Sequence, residues 1–321
     1  MMPRRRSRPQ PPLPPRDGLG AARVRMPAHH CSVEHPDHDC SAEHFATVVD
    51  FLVRVTGDEE GVWGRVRAGE IRLGDGTRVD GGTPYQPGGS AYLYRDLPPE
   101  VPVPGEVTVL LRDETTGLLA VDKPPFLATM PRGGHVAQTV VVRLRRELDL
   151  PELSPIHRLD RLTSGVLLLA MRPEARSPYQ RMVQAGGLAK TYLALAPLRA
   201  DLELPHTVVN RVVKRRGSLQ ATVEEGEPNA ETLVELEGTE VVDGQEVGRY
   251  RLTPRTGQTH QLRVHLSGLG IPILGDPLYP VVRQVAPEDL STPLRLLAHE
   301  VAFTDPVSGK ERRIRSRRPR P

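Results

Sequence analysis

The stretch His157-Arg158-Leu159-Asp160-Arg161-Leu162-Thr163-Ser164-Gly165 runs straight into the apolar segment Val166-Leu167-Leu168-Leu169-Ala170. A dense polar cluster thus opens onto a strand of buried type, since a short unbroken apolar run reads as a strand covered on both faces. Asp160 is surrounded in sequence by three cations or potential cations, His157, Arg158 and Arg161. Taking charges out of water is unfavourable unless they are paired. The segment is therefore either an ion-paired cap on a strand or a reaction site, and these residues alone leave both readings open.

Composition narrows the classes. A chain of 321 residues accommodates one large domain and a smaller one, and an apolar content of 38% is enough for a core. No apolar run approaches a membrane span. The N-terminal arginines lead into no apolar stretch with a cleavage site, so a secretory leader is not expected. Only two cysteines occur, Cys31 and Cys40. A disulfide framework is not expected, and a reducing cytoplasm is the expected compartment. The formal charge of +3 is small, but the basic residues cluster at 4–6, 214–216 and 312–318. Such clusters attract phosphate, although each taken alone reads as a solvated surface or tail.

Residues 1–44 read as an extended or disordered segment, rich in Pro and Arg over the first 25 and without hydrophobic periodicity. His29, His30, Cys31, His35, His38, Cys40 and His44 are metal-ligand types, but their spacing matches no zinc pattern, and a polar loop without metal is expected. Residues 45–100 form a small separate unit. Phe45, Val48, Val49, Leu52 and Val53 recur at helical spacing, and residues 69–77 read as a strand and a glycine turn. A stiff linker follows at 97–104, with four prolines in eight residues. Strands are expected at 107–111, 118–121, 166–171, 190–196, 232–237, 249–253 and 296–303, with helices at 140–148 and 259–269. Strands and helices without regular alternation make the main unit, residues 101–315, α+β. Residues 316–321 read as a basic tail.

The polar stretch at 157–165 resembles the catalytic motif of the RluA-type RNA pseudouridine synthases, enzymes that isomerise uridine within RNA. Further resemblances follow in the family's order: Lys190-Thr191-Tyr192, then Arg255-Thr256-Gly257-Gln258-Thr259-His260-Gln261-Leu262-Arg263-Val264-His265, then Gly275-Asp276-Pro277-Leu278-Tyr279, then Leu297-Ala298-His299 through Asp305-Pro306. Asp122-Lys123-Pro124 is similar to the family's opening block, which usually continues with glycine, whereas Pro125-Phe126 stands here. The resemblance covers residues 108–315. It implies the family's catalytic fold, a mixed and mainly antiparallel sheet with a central cleft, and makes residues 45–100 similar to a degenerate N-terminal RNA-binding domain.

By that resemblance Asp160 is the catalytic carboxylate, Tyr192 lies against the target base and Arg263 is the ion-pair partner of Asp160. A guanidinium can grip a carboxylate through two parallel hydrogen bonds and keep it ionised, and an aromatic ring offers a stacking face to a base. His157, Arg158, Arg161, Lys190, Arg255, His260 and Gln261 are candidate RNA contacts. Arg158 is placed by the resemblance in the space left by an everted nucleotide, because chemistry on a base requires taking it out of its stack. No cofactor or metal is implied. The partner is RNA, ribosomal first and transfer RNA second, and a monomer is expected. Two other readings stand beside this one. A non-catalytic RNA-binding protein on the same scaffold would not need Asp160, Tyr192 and Arg263 together, and a glycoside hydrolase would need a second carboxylate.

Overall fold

Two units divide the chain, Met1–Pro98 and Pro99–Pro321. The computed structural model describes residues 11–28, 45–97, 99–286 and 288–321. The His/Cys segment at 29–44 lies outside the described residues. None of the described helices is long and apolar enough to cross a membrane.

The first unit consists of β1 (Ala22–Arg25), α1 (Val48–Thr56), α2 (Glu59–Ala68), β2 (Ile71–Leu73) and β3 (Ser90–Leu93). Its three strands lie in the order β1-β3-β2, all antiparallel. Thr47 and Asp50 close a reciprocal capping box on α1. The acidic triplet 58–60 begins α2: Asp58 caps it, and Glu59 and Glu60 occupy the first turn, where the helix dipole favours negative charge. Met26, Phe51, Leu52, Val62 and Ile71 fill the core between helices and sheet. Part of the expected N-terminal coil is therefore ordered. Ala22-Arg23-Val24-Arg25 alternates small or apolar residues with arginines, and it pairs along β3 with Val24 turned to the core. Four residues with two arginines are too short a signal to register as periodicity.

The second unit consists of β4 (Thr108–Asp113), β5 (Leu118–Lys123), α3 (Val140–Glu147), β6 (Ser154–Pro155), β7 (Ser164–Ala170), α4 (Pro173–Gln184), β8 (Ala189–Pro197), β9 (His206–Val213), β10 (Thr222–Glu224), β11 (Ala230–Val242), β12 (Gln245–Pro254), α5 (Gln261–Gly268), β13 (Leu296–Thr304) and β14 (Glu311–Arg315). They build one sheet in the order β10-β9-β11-β12-β8-β13-β7-β5-β4, with β14 on β13 and β6 on β7. The pairing of β13 with β7 is parallel and the others are antiparallel.

The apolar run that opened the reading is β7, and its continuity has a physical cause. Successive strand residues point to opposite faces. Leu167 and Leu169 join Val140, Leu144, Leu262 and Leu266 of α3 and α5 on one face. Val166, Leu168 and Ala170 join Ala175 and Tyr179 of α4 and Ile314 of β14 on the other. Helix α4 has no expectation in the sequence, because Pro178 inside it reads as a breaker and only Ala175 and Tyr179 are buried. The hairpin of β9 and β10 is also absent from the sequence reading, since most of its residues are exposed and no clean alternation appears.

The basic cluster at 312–318 is tied to the sheet at several points, while the side chains of Arg317 and Arg320 are exposed. β14 pairs along β13 with Ile314 buried, and Glu300 is flanked by Arg313, at 2.7 Å, and by Arg315. Arg312 pairs with Asp113 and, at 3.3 Å, with Asp305. Ser316 Oγ donates to both oxygens of Asp122 at 2.9 Å, the Arg317 N–H donates to Asp122 at 2.7 Å, and Arg318 Nε lies 3.3 Å from it. Asp122 is buried at the end of β5, so these groups are its neutralising shell.

Candidate active site

Asp160 lies in the loop that leads from β6 into β7, and that loop is fastened at two points. Thr129 Oγ1 donates to the Leu159 carbonyl at 2.8 Å and accepts the Leu159 N–H at 3.2 Å. Lys123, wholly buried, points its ammonium at three carbonyls, those of Pro124, Leu127 and Arg161, at 2.9, 2.8 and 3.1 Å. Burial pushes the Lys123 pKa well down, while the Asp160 carboxylate works against that shift. Three donors meeting three acceptors is the full capacity of an ammonium. The fastening needs the chain to turn sharply after Pro125, and Phe126 does so with φ 66°. The left-handed conformation that the family's glycine would take up freely is thus adopted by a buried phenylalanine.

Where the loop joins the sheet, Gly165 has φ 107°, and a Cβ there would lie 2.2 Å from the Ala298 carbonyl oxygen. Only glycine lets β7 approach β13 this closely at the Ala298–Gly165 pair. Beside this junction lies a pocket of about 230 Å³ lined by Arg158, Asp160, Lys190, Tyr192, His260 and Arg263, among others. Strand β8 contributes Lys190 and Tyr192, and α5 with the residue before it contributes His260 and Arg263.

The basic side chains within 4.0 Å of Asp160 come from far along the chain and not from its sequence neighbours. Arg263 Nη1 lies 3.8 Å and His260 Nε2 4.0 Å from Asp160 Oδ2. Adjacent loop residues point in different directions, so the three basic residues near Asp160 in sequence do not pair with it. His157 turns into the sheet, where Nε2 accepts the Leu168 N–H at 3.2 Å, and burial pushes its pKa down to about 4. An acceptor nitrogen at neutral pH is a backbone partner, although the ring also borders the pocket. Arg161 and Arg255 are not among the lining residues. Arg161 is brought near through its carbonyl, and Arg255 is exposed and pairs with Glu231 at 3.2 Å. Gln261 borders the pocket but its amide is used within the fold: Nε2 donates to the Glu231 carbonyl and Thr232, and Oε1 accepts from Thr256 and Gln258.

Arg263 is 2% exposed, so α5 presents it inward. The two parallel hydrogen bonds expected toward Asp160 go to Asp276 instead, from Nε at 2.7 Å and Nη2 at 2.6 Å. Burial acts to lower the Arg263 pKa, but the Asp276 hydrogen bonds, with the charges of Asp276 and Asp160, outweigh it and hold the pKa above its ordinary value. Helix α5 starts later than the expected residue 259, because His260 takes the left-handed conformation, φ 60° and ψ 15°, at its N-terminus. Burial drives the His260 pKa down to about 4 against the pull of Asp160, so the ring is neutral at pH 7. Burial, with Asp160 adding to it, pushes the Tyr192 phenol well above its usual range, so it keeps its proton. Lys190 Nζ donates to the Thr256 carbonyl at 3.2 Å, and burial lowers its pKa.

The pocket therefore offers one partly exposed carboxylate, a deeply held guanidinium, a protonated phenol and a neutral imidazole. Of the residues that support it, Lys123 and Asp276 lie in blocks the sequence had singled out, whereas Thr129 has no signal. Chemistry at a sugar carbon needs a carboxylate free of a locking partner and a flat slot for a base, and this geometry supplies the carboxylate beside an aromatic.

Comparison with known proteins agrees. Residues 117–268 match the RNA pseudouridylate synthase family. Over 221 residues the chain is 32% identical to an uncharacterized RNA pseudouridine synthase of Synechocystis sp., covering 67% of this chain and 72% of the relative. It is 32% identical over 205 residues to the dual-specificity RNA pseudouridine synthase RluA of Vibrio parahaemolyticus, covering 61% and 77%. With human pseudouridylate synthase RPUSD2 the identity is 36% over 185 residues, which span only 32% of that longer protein. The solved structure of human RNA Pseudouridylate Synthase Domain Containing 1 superposes with a TM-score of 0.55 at 24% identity, covering 69% of this chain and 86% of that one, and shares the fold. The fold and the matches together define a pseudouridine synthase, an isomerase acting on RNA. The chain belongs to the RNA pseudouridine synthase family and, within it, to the RluA type.

Proposed function

We propose that this protein isomerises specific uridines of ribosomal RNA, with transfer RNA as the second candidate, and that Asp160 is the carboxylate that acts on the ribose. The reaction breaks the N1–C1′ bond, turns the base and forms a C5–C1′ bond. A proton leaves C5 and one is taken up at N1, so no redox change occurs. A carboxylate serves this chemistry by attacking or stabilising the electron-poor sugar carbon, or by taking a proton from the sugar.

One observation carries the reading. Asp160 is the partly exposed carboxylate of the pocket, at 23% side-chain exposure, and its nearest cation approaches a single oxygen at 3.8 Å. It is thus approached at one oxygen without being forked. Tyr192 supplies the face against which the base lies, and its protonated hydroxyl is a donor. Arg158, exposed at the rim, fills the gap left by the everted nucleotide. Lys190 and His260 border the flipped base. Residues 45–100 give the chain a second RNA contact, and it works as a cytoplasmic monomer.

The experiment is a pseudouridine map of total cellular RNA with and without the protein. Loss of one or a few sites in ribosomal RNA supports the first substrate, and loss confined to transfer RNA supports the second. An unchanged map in both would reject the reading.

A further inference from the structure

Asp276 makes no approach to the pocket surface, yet it organises what lies beneath it. Its side chain is completely buried. Oδ2 accepts from Arg263 Nε, and Oδ1 accepts from Arg263 Nη2 and from the backbone N–H groups of Leu278 and Tyr279 at 2.8 and 3.2 Å. The turn that delivers it requires glycine before it. Gly275 has φ 74°, and a Cβ there would lie 2.3 Å from the Pro293 carbonyl oxygen. The Tyr279 ring covers the guanidinium from one face, with Arg263 Cζ 5.2 Å from the ring centre. Tyr279 Oη in turn accepts the Ala221 N–H at 2.6 Å and lies 3.0 Å from His260 Nδ1.

The guanidinium therefore has its Nε and Nη2 edge taken and one face covered. What remains is Nη1, and that is the atom nearest Asp160. A buried Arg263 lacking Asp276 would have Asp160 as its remaining carboxylate partner. The favoured arrangement would then be a two-point fork onto Asp160, which ties up both oxygens that the sugar must meet.

We propose that Asp276 is a positioning residue of the isomerisation: by taking the fork of Arg263 it leaves Asp160 paired at one oxygen only, aimed and free to reach the ribose. The inference rests on the reading of Asp160 as the reacting carboxylate. Asp276 touches no substrate and acts through Arg263.

The test uses the full chain and a transcript carrying a mapped site, with single-turnover rate, RNA dissociation constant and Tm measured on each variant. Asp276→Asn should lower the rate by about 100-fold, as expected when a reacting group is displaced by about an ångström, with RNA affinity within about threefold. Asp276→Glu, which keeps the charge but lengthens the side chain by one methylene, should recover only about tenfold of that loss and stay about tenfold below the parent. In an Arg263→Gln background, Asp276→Asn should change the rate by less than about threefold, because the route through the guanidinium is already gone. A folded Asp276→Asn protein with a rate within about threefold of the parent overturns the proposal, as does an equal loss in the Arg263→Gln background. If Asp276→Asn yields no folded protein, a folded Asp276→Glu protein at the parental rate overturns it equally. Asp160→Asn is run alongside: turnover by that variant sinks the reading of Asp160 itself, whereas an inert Asp160→Asn beside a fully active Asp276→Asn sinks only the positioning role.

Discussion

Ending the chain after Arg315 should destabilise the second unit by about 3 kcal/mol, a figure that follows from the surroundings of Asp122. That carboxylate is 1% exposed. It accepts the Ser316 hydroxyl at 2.9 Å and the Arg317 N–H at 2.7 Å, and it lies 3.3 Å from Arg318 Nε. Stripping the partners from a buried charge costs about 3–5 kcal/mol. Truncation also opens the site to water, which hydrates part of the exposed charge, so the lower end applies. For a domain of this size each kcal/mol moves Tm by about 2–4 °C, which gives a drop of about 6–12 °C. The assay is scanning calorimetry on the full and shortened chains, repeated in an Asp122→Ala background, where the same truncation should cost less than about 1 kcal/mol. Arg318 also donates to the carbonyls of Glu106 and Asp122, so the loss is not one of charge alone. An unchanged Tm, with RNA affinity weakened only at low salt, would restore the solvated-tail reading and refute the role of residues 316–318 as the partners of Asp122.

Two further outcomes follow from single residues. Phe126→Gly removes a left-handed phenylalanine, relieving about 1–2 kcal/mol of backbone strain, but it empties a buried aromatic site at a cost of about 3–5 kcal/mol. Burial wins: urea unfolding should show a net loss of about 2–3 kcal/mol, and equal or greater stability of the glycine variant would contradict the packing account. His265 is buried with Nε2 3.0 Å from Asn210 Oδ1, and burial pushes its pKa down to about 4. As pH falls the unfolded chain takes up this proton first, so the contribution is complete above the unfolded value of about 6.5 and is lost progressively between there and about 4. By pH 5 the loss amounts to about 2 kcal/mol. His265→Gln should therefore lose less stability than the parent between pH 7.5 and 5, and parallel losses would refute the assignment.

Much of the fold was legible because its signals are local. The apolar runs at β5, β7, β8 and β13 are strands covered on both sides, and their composition says so. What was not legible depends on pairing across the chain. β14 carries one apolar residue, Ile314, and exists because Glu300, Asp113 and Asp305 collect its arginines. The site shows the same division. Asp160, Tyr192, Lys190, His260 and Arg263 do meet in one pocket. Proximity in sequence did not become pairing with Asp160: His157 Nε2 accepts the Leu168 N–H, and Arg161 meets Lys123 through its carbonyl. Proximity gave no warning that Asp276, thirteen positions after Arg263, would take the fork assigned to Asp160. Spacing along a helix gives a side chain's direction, but which of two carboxylates it meets is decided by a loop that returns from elsewhere.

The most direct trial is to assay Asp160→Asn against the parent on a uridine whose conversion the parent carries out. The side chain keeps its size and loses only its charge. Pseudouridine formation should vanish while RNA binding changes by no more than a few fold; a variant that still makes pseudouridine at the parental rate would show that the reacting group lies elsewhere.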